Sequence, residues 1–300
     1  MRNQKRNALL FTILSVFVIL ASGSVAFGQE NKNKTFMWKV ESQGAGVYIL
    51  GSVHFLKSGN YPLNPKIETA YEQSDTLVVE ADITDDKKMD AQLIAEKALY
   101  GEKDSLKNHV SEETYEFIRR EADRLGLPLE MINRQKPWML ALTLSSLEIM
   151  KLAYDPRLGI DWYFLSKAAR AKKVLELEGL EYQINLLSGL SPEEQELFLL
   201  LTLKDLKNAG EQVDALITAW ARGDTQKVEE ILMKRLKEDQ RVYPFYEKFL
   251  YRRNQDMVSK IESYLKTGGT YFVVIGAAHL IGEKGIIQIL KAKGHKVQQF

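Results

Sequence analysis

Two of the four histidines in this sequence occupy the same local setting. His54 ends the tetrapeptide GSVH and His279 ends the tetrapeptide GAAH, and each tetrapeptide follows an apolar segment rich in β-branched residues. Such segments are typical of strands. Both imidazoles are therefore expected at the carboxyl ends of strands, where open α/β sheets bind ligands. The glycine that opens each tetrapeptide allows a tight backbone turn and leaves room for a bound group.

A carboxylate is expected at the same edge of the sheet. Residues 76–80 read TLVVE, which predicts a strand buried on both faces and ending at Glu80. Two imidazoles and a carboxylate are a ligand set for divalent Zn, Mn, Co or Fe, with positions left for water and substrate. Such an ion polarises a carbonyl and makes water more acidic. The sequence thus indicates a metal site at His54, Glu80 and His279, the alternative being that each histidine is a hydrogen-bonded structural group.

Three further polar residues each have a functional and a structural interpretation. Glu178 follows a predicted strand and could be a general base, an outer partner of a ligand or an extra ligand, or else a solvated side chain. Asp161 is expected to cap the helix 162–171 rather than to take part in catalysis. Arg253 could neutralise a substrate carboxylate or an oxyanion, or it could form an ordinary salt bridge on its helix.

Composition excludes several other kinds of site. The 300 residues contain no cysteine, which removes disulfides, thiolate zinc sites and cysteine nucleophiles, so any metal must be held by histidines and carboxylates. Lys and Arg total 41 against 40 Asp and Glu, so there is no net field to hold a polyanion and no nucleic-acid partner is expected. The sequence also has no glycine-rich phosphate loop and no serine nucleophile elbow.

The first 26 residues have the order of a secretory signal peptide. Three basic residues precede the apolar run 8–21, and small residues at 24 and 26 precede the expected cleavage point. The run is shorter than the roughly 20 residues that a spanning helix needs, so a retained anchor is the weaker alternative. Cleavage would leave 38 basic and 40 acidic residues and no later membrane span. We therefore expect an exported protein, either secreted or held in the cell envelope, which is the periplasm in a two-membrane cell.

Strands are expected toward both ends of the mature chain, with helices between them. The predicted strands are 35–40, 46–53, 76–80, 173–177, 271–275 and 296–300. Helical patterns form a long insertion at about 87–172 and 190–240. The prediction is a linker at 27–34 followed by one α/β domain at 35–300, with a central mixed sheet, flanking helices and the helical insertion.

These motifs together resemble the TraB/GumN family, which also includes the Tiki proteases of animals. The matching blocks are LGSVH at 50–54, LVVEAD at 77–82, KPW at 136–138, GID at 159–161, LE at 177–178 with Gln183, residues 220–224, RN at 253–254 and VIGAAHLIG at 274–282. They run in family order over nearly the whole mature chain. The paired glycine-x-x-histidine motifs are the specific part of the resemblance.

The resemblance implies a metal-dependent hydrolase with a protease-like site. It implies that His54, His279 and Glu80 are the functional positions, that Arg253 supports them, and that a peptide or protein is the substrate. It also implies a fold like that of erythromycin esterase and the haem-binding ChaN proteins. The alternative that the residues leave open is an envelope protein that binds haem, a metal or a peptide without turning it over.

Overall fold

A mixed sheet forms the centre of the molecule. The computed structural model describes residues 34–42, 45–85, 91–169 and 171–300. In these residues the strands are β1 (Met37–Ser42), β2 (Ala45–Ser52), β3 (Thr76–Val79), β4 (Lys173–Glu176), β5 (Thr270–Gly276) and β6 (Lys296–Gln299). Their order across the sheet is β4-β3-β5-β2-β1-β6. The predicted α/β fold with a central mixed sheet is therefore confirmed.

Four neighbouring strands of this sheet are parallel. β4, β3, β5 and β2 run in the same direction, whereas β1 is antiparallel to both β2 and β6. Their register places Ser52 of β2 opposite Gly276 of β5 and Val79 of β3 opposite Val274 of β5. The apolar β-branched residues of β3 and β5 are buried, as is typical of parallel strands between helical layers. The carboxyl ends of all four strands consequently meet at one edge.

Helices occupy the segments between the strands. Those before β4 are α1 (Pro65–Glu72), α2 (Ala91–Ala98), α3 (Glu112–Leu125), α4 (Leu129–Ile132), α5 (Pro137–Lys151) and α6 (Ile160–Ala168). Those between β4 and β5 are α7 (Leu180–Ser188), α8 (Pro192–Asp205), α9 (Ala209–Ala221), α10 (Thr225–Glu238), α11 (Tyr243–Tyr246) and α12 (Arg252–Tyr264). After β5 come α13 (Ala277–Leu280) and α14 (Ile286–Ala292).

Three of the helix starts have clear physical causes. The Ser111 hydroxyl accepts a hydrogen bond from the backbone N–H of Thr114 and caps α3. Ser191 and Glu194 form a reciprocal capping box at the start of α8. Pro137 is the first residue of α5, where its missing N–H has no intrahelical partner to lose. Local side-chain chemistry thus determines where these helices begin.

Most strand ends lie within one or two residues of their predicted positions, which is the usual uncertainty of such boundaries. β3 ends at Val79, so Glu80 follows the strand instead of closing it. The expected signal peptide at 1–26 and nearly all of the linker at 27–34 lie outside the described residues. Among the residues that the structure describes, no helix combines the length and the apolar character needed to cross a membrane.

Candidate functional site

The four parallel strands each lead into a polar residue of the candidate site. His54 follows β2, Glu80 follows β3, Glu178 follows β4, and His279 lies in α13 directly after β5. Glu80 and His279 are buried, and the His54 side chain is 12% exposed. Because the strands are neighbours and parallel, the structure brings these side chains together from sequence positions more than 200 residues apart.

Gly276 lies at the centre of the three predicted metal ligands. A Cβ atom built on this glycine would lie 3.2 Å from Oε1 of Glu80, 3.7 Å from Nε2 of His54 and 3.7 Å from Cδ2 of His279. The backbone N–H of Gly276 donates to Oε1 of Glu80 at 2.7 Å. The three side chains therefore surround one small space, which stays open because residue 276 has no side chain.

Both imidazole rings are held through Nδ1. Nδ1 of His279 lies 2.6 Å from Oδ1 of Asn254, and Nδ2 of Asn254 donates to the carbonyl of Lys284 at 2.8 Å. Since that bond fixes the Asn254 amide, Nδ1 of His279 must carry a proton. Nδ1 of His54 likewise donates to Oδ2 of Asp161, 2.7 Å away. When neutral, each ring then keeps a lone pair on Nε2.

The prediction that Asp161 caps its helix is wrong. α6 begins at Ile160 with Gly159 as its N-cap, so Asp161 lies inside the first turn. Oδ2 of Asp161 accepts hydrogen bonds from the Ser52 hydroxyl and from the His54 ring. A Cβ on Gly159 would lie only 2.3 Å from the carbonyl oxygen of His54, so the glycine is what lets this turn pack against the site. The Asp161 carboxylate therefore fixes the orientation of the His54 ring and does not cap the helix.

A buried arginine joins the two glutamates of the site. Nε and Nη2 of Arg253 donate to the two carboxylate oxygens of Glu178, each at 2.7 Å. Nη2 also donates to Oε2 of Glu80 at 2.7 Å. Nε2 of Gln183 bridges the same two carboxylates, at 3.1 Å from Glu80 and 3.2 Å from Glu178. One guanidinium and one amide thus join the two carboxyl groups.

The helix that carries Arg253 is interrupted immediately before it. Residues Glu247–Tyr251, between α11 and α12, form a π-helical turn. Such turns are rare, are frequent at functional sites, and leave carbonyl groups available to other donors. Here the carbonyl of Phe249 accepts a hydrogen bond from Nη1 of Arg253 at 2.7 Å. The irregular turn thus anchors the guanidinium from behind.

The environment shifts the ionisation of three site residues. Burial raises the pKa of Glu80, although the neighbouring Arg253 charge opposes this effect. Burial lowers the pKa of His54, but the charge and hydrogen bond of Asp161 outweigh burial, so the pKa lies above the usual value. Burial lowers the pKa of His279 well below its usual value, and Arg253 acts in the same direction. His279 is therefore a neutral imidazole at ordinary pH.

The donor atoms around Gly276 are of the chemical types that divalent transition metals bind. Oε1 of Glu80 accepts one hydrogen bond and keeps a lone pair, whereas Oε2 accepts two bonds. Nε2 of His54 and Cδ2 of His279 adjoin the same space. Nδ1 hydrogen bonds to outer partners are typical of metal-binding histidines. Among residues 34–42, 45–85, 91–169 and 171–300, no three His, Asp or Glu side chains are already arranged as a metal-binding group.

A cavity opens above this cluster, and we call it the site cavity. It has a volume of about 70 Å³, measured as space open to the centres of water molecules. Its polar floor consists of Ser52, His54, Glu80, Gln183, Arg253 and His279. Glu178 lies behind Arg253 and instead lines a neighbouring groove with Tyr182 and Lys260. Of the two glutamates, Glu80 is therefore the one that faces the site cavity.

The sequence assigns no role to three residues that the site uses. Ser52 binds Asp161, Gln183 bridges the two glutamates, and Asn254 holds His279. The sequence does hint at two of them, because Asn254 directly follows Arg253 and Gln183 lies in the helix that begins just after Glu178. The partners themselves come from distant segments, so spacing alone does not identify them.

Comparison with known proteins gives one family and several distant relatives. The model of the TraB/PrgY/gumN family matches residues 36–299. The chain is 26% identical over 245 residues to the uncharacterized protein YbaP of Escherichia coli, covering 81% of this chain and 87% of that protein. It is 22% identical over 339 residues to metalloprotease TIKI1 of Xenopus tropicalis, covering 93% and 66% respectively. A metalloprotease TIKI homolog of Amphimedon queenslandica is 31% identical over 85 residues, covering 28% and 14%. No solved structure matches the chain.

Proposed function

This chain belongs to the TraB/PrgY/gumN family, and from that premise we propose that it is a metal-dependent hydrolase that cleaves peptides. The observation that carries the proposal is the meeting of His54, Glu80 and His279 around the space beside Gly276. The similarity to two proteins named metalloproteases supports a peptide as the substrate.

In this proposal three donor atoms hold the ion. They are Nε2 of His54, Nε2 of His279 and Oε1 of Glu80, and Zn, Mn, Co and Fe all accept such a set. A divalent ion bound there would polarise a substrate carbonyl and make water more acidic. Asp161 and Asn254 hold the two imidazole rings through Nδ1, and both histidines line the site cavity.

In this proposal Glu80 accepts a proton, whereas Glu178 and Arg253 hold Glu80 in position. Glu80 lines the site cavity, so it is the carboxylate that can accept the proton of an attacking water. Glu178 holds Arg253 through two hydrogen bonds, and Arg253 in turn holds Glu80. The variant Glu80→Gln distinguishes the two roles of Glu80, metal binding and proton transfer. If this variant still binds the metal but does not hydrolyse peptides, the lost function is proton transfer.

Metal content tests the site directly. Protein purified without chelators, after growth with added Mn, Co, Zn or Fe, is analysed by mass spectrometry together with folded His54→Ala and His279→Ala variants. His109→Ala is the matched control, since His109 is exposed and is paired with Asp104. We expect about one ion per chain in the wild type and the control, and none in the two site variants. Folded site variants that keep both the ion and the hydrolysis would contradict the assignment.

One observation favours a second mechanism. The 2.7 Å contact between His54 and Asp161 has the form of a base oriented by a carboxylate, which can activate water without a metal. Hydrolysis that survives chelation and is lost in Asp161→Asn would select this mechanism. A retained ion without hydrolysis of any peptide would instead favour a binding protein for metal, haem or peptide.

We further propose that the protein acts outside the compartment where it is made. The support is the order of basic, apolar and small residues in the first 26 positions, which lie outside the described residues. Amino-terminal sequencing of protein recovered from the cell envelope or medium tests this. A mature chain beginning at Phe27 is expected, and a chain that keeps residues 1–26 and stays with the cytoplasm would refute export.

A further inference from the structure

The upper part of the site cavity is apolar, and we call it the apolar wall. It is formed by Leu186, Leu187, Leu216, Leu232, Phe249 and Leu250. These residues come from α7, α9, α10 and the π-helical turn, which are all parts of the helical region between β4 and β5. Among the described residues that line the cavity, the charged ones, Glu80 and Arg253, both belong to the floor. The cavity therefore has one polar side and one apolar side.

The apolar wall is already packed in this structure. The Phe249 ring lies 6.3 Å from the Phe198 ring and 6.1 Å from the Phe245 ring, measured between centroids. The Phe249 carbonyl is hydrogen-bonded to Arg253. Leu216 and Leu250 are each 1% exposed. A ligand thus meets a preformed surface whose position is tied directly to the polar floor, and preformed surfaces bind with less loss of entropy.

The size of the cavity limits what can occupy it. A water molecule needs about 10 to 15 Å³ of such volume, so about 70 Å³ holds a few waters or one side chain of moderate size. A charged side chain against this wall would lose its hydration without gaining a partner. A bulky indole ring would exceed the space unless the wall moved.

We propose that the apolar wall binds one aliphatic side chain of the peptide substrate, the size of leucine, beside the bond presented to His54, Glu80 and His279. This inference adds a side-chain preference to the proposed hydrolase function. It rests on that function only in treating the bound peptide as a substrate. The binding itself requires only the wall and the floor of the cavity. Leu216 and Leu232 line the cavity from the two helices α9 and α10 and are the specificity-determining residues.

Binding can be measured without a metal and without turnover. The probes are N-acetyl methylamides of leucine, glycine, lysine and phenylalanine, titrated into the full mature protein that carries ¹³C-labelled leucine methyl groups. We expect the leucine derivative to bind about tenfold or more tightly than the glycine and lysine derivatives, because apolar pockets discriminate by roughly 10-fold to 200-fold per methylene group. Methyl signals of Leu216 and Leu232 should shift first.

Two variants with opposite expected effects on ligand preference distinguish a change in the cavity from a general loss of folding. Leu216→Phe narrows the cavity and should weaken binding of the leucine derivative, whereas Leu232→Ala enlarges it and should shift preference toward the phenylalanine derivative. Leu236→Ala, on the same helix as Leu232 but outside the cavity, is the matched control and should change neither. If two folded variants shift the preference between the leucine and phenylalanine derivatives in opposite directions, a general loosening of the protein structure does not explain the result.

The outcomes separate this inference from the proposed function. Equal binding of the leucine, glycine and lysine derivatives, or no binding of any of them, overturns the inference even if peptides are hydrolysed. Selective leucine binding with reciprocal shifts supports the inference even if no peptide is cleaved, and in that case the hydrolase proposal is the one that fails.

Discussion

His54 and His279 are held by the same ring nitrogen but by partners of different charge. Nδ1 of His54 donates to the carboxylate of Asp161 at 2.7 Å, whereas Nδ1 of His279 donates to the neutral amide of Asn254 at 2.6 Å. Both contacts leave Nε2 free of that partner, and both histidines line the site cavity. The anionic partner also raises the pKa of His54 above its usual value, while the pKa of His279 stays well below it. The two rings are thus alike in orientation and unlike in basicity.

The first prediction concerns the tautomers of these rings. In metal-free protein near neutral pH, long-range ¹H–¹⁵N NMR should show a proton on Nδ1 of His279 and a bare Nε2, because the Asn254 amide is fixed by the Lys284 carbonyl. Asn254→Leu removes the acceptor and should redistribute the His279 proton between both nitrogens without changing His54. A proton found on Nε2 of His279 in the wild type would refute this assignment.

The second prediction concerns the open space at Gly276. Gly276→Ala puts a methyl group 3.2 Å from Oε1 of Glu80, so the carboxylate or the imidazoles must shift. A misplacement of about 1 Å costs roughly 100-fold in catalysis. Here Oε1 has to move by only a few tenths of an ångström, so we expect a smaller loss, in which metal content and hydrolysis fall together while the fold is kept. Gly46→Ala is the control, since its Cβ would meet only Thr270 at 4.0 Å. Equal activity of the two variants would contradict the central position of Gly276.

The third prediction compares two adjacent arginines. Arg253→Met leaves Glu80 and Glu178 buried without their cation, which should lower the free energy of unfolding by about 3 to 5 kcal/mol. Arg252→Met changes a side chain that is 72% exposed, and the expected effect is less than about 0.5 kcal/mol. Urea unfolding of both variants at neutral pH measures the difference. Similar losses in the two proteins would show that the buried ion pairs contribute little.

The fourth prediction is a pH dependence away from the site. Burial raises the pKa of Asp205 to about 6 in the folded protein, against an opposing effect of Arg235. An unfolded aspartate has a pKa of about 3.9, so the folded state binds this proton more tightly. The free energy of unfolding should therefore fall as pH rises from about 4 to about 6, by on the order of 1 to 3 kcal/mol from this group.

Asp205→Asn removes that contribution. Its free energy of unfolding, compared with the wild type by urea denaturation at several values between pH 4 and pH 7, should improve relative to the wild type as pH rises. A constant difference across the range would mean that Asp205 titrates alike in both states.

The central part of the site could be predicted from sequence because it depends on a local pattern. An apolar β-branched run followed by His54, Glu80 or His279 indicates a strand end whatever the strand order. Parallel pairing then brings such ends together, and the structure has the four strands in that arrangement. The convergence required no knowledge of which strand lies next to which.

The supporting residues could not be predicted in the same way. Asp161 near a helix start has the local signature of a cap, and only tertiary packing shows that it faces Ser52 and His54. The π-helical turn before Arg253 has no distinct propensity, because its residues also suit an ordinary α-helix. The insertion of β5 between β2 and β3 likewise depends on contacts across about 200 residues, which leave no local mark.

The position of β5 between β2 and β3 has a consequence for the order in which the parts of the site are synthesised. β2 and β3 do not pair with each other, and each depends on β5 as its neighbour. A chain still growing on the ribosome therefore exposes His54 and Glu80 long before the strand that joins them has been synthesised. Gly276 and His279 arrive with that same strand. Assembly of the candidate site is thus among the last events of biosynthesis, so unfinished chains lack the complete site.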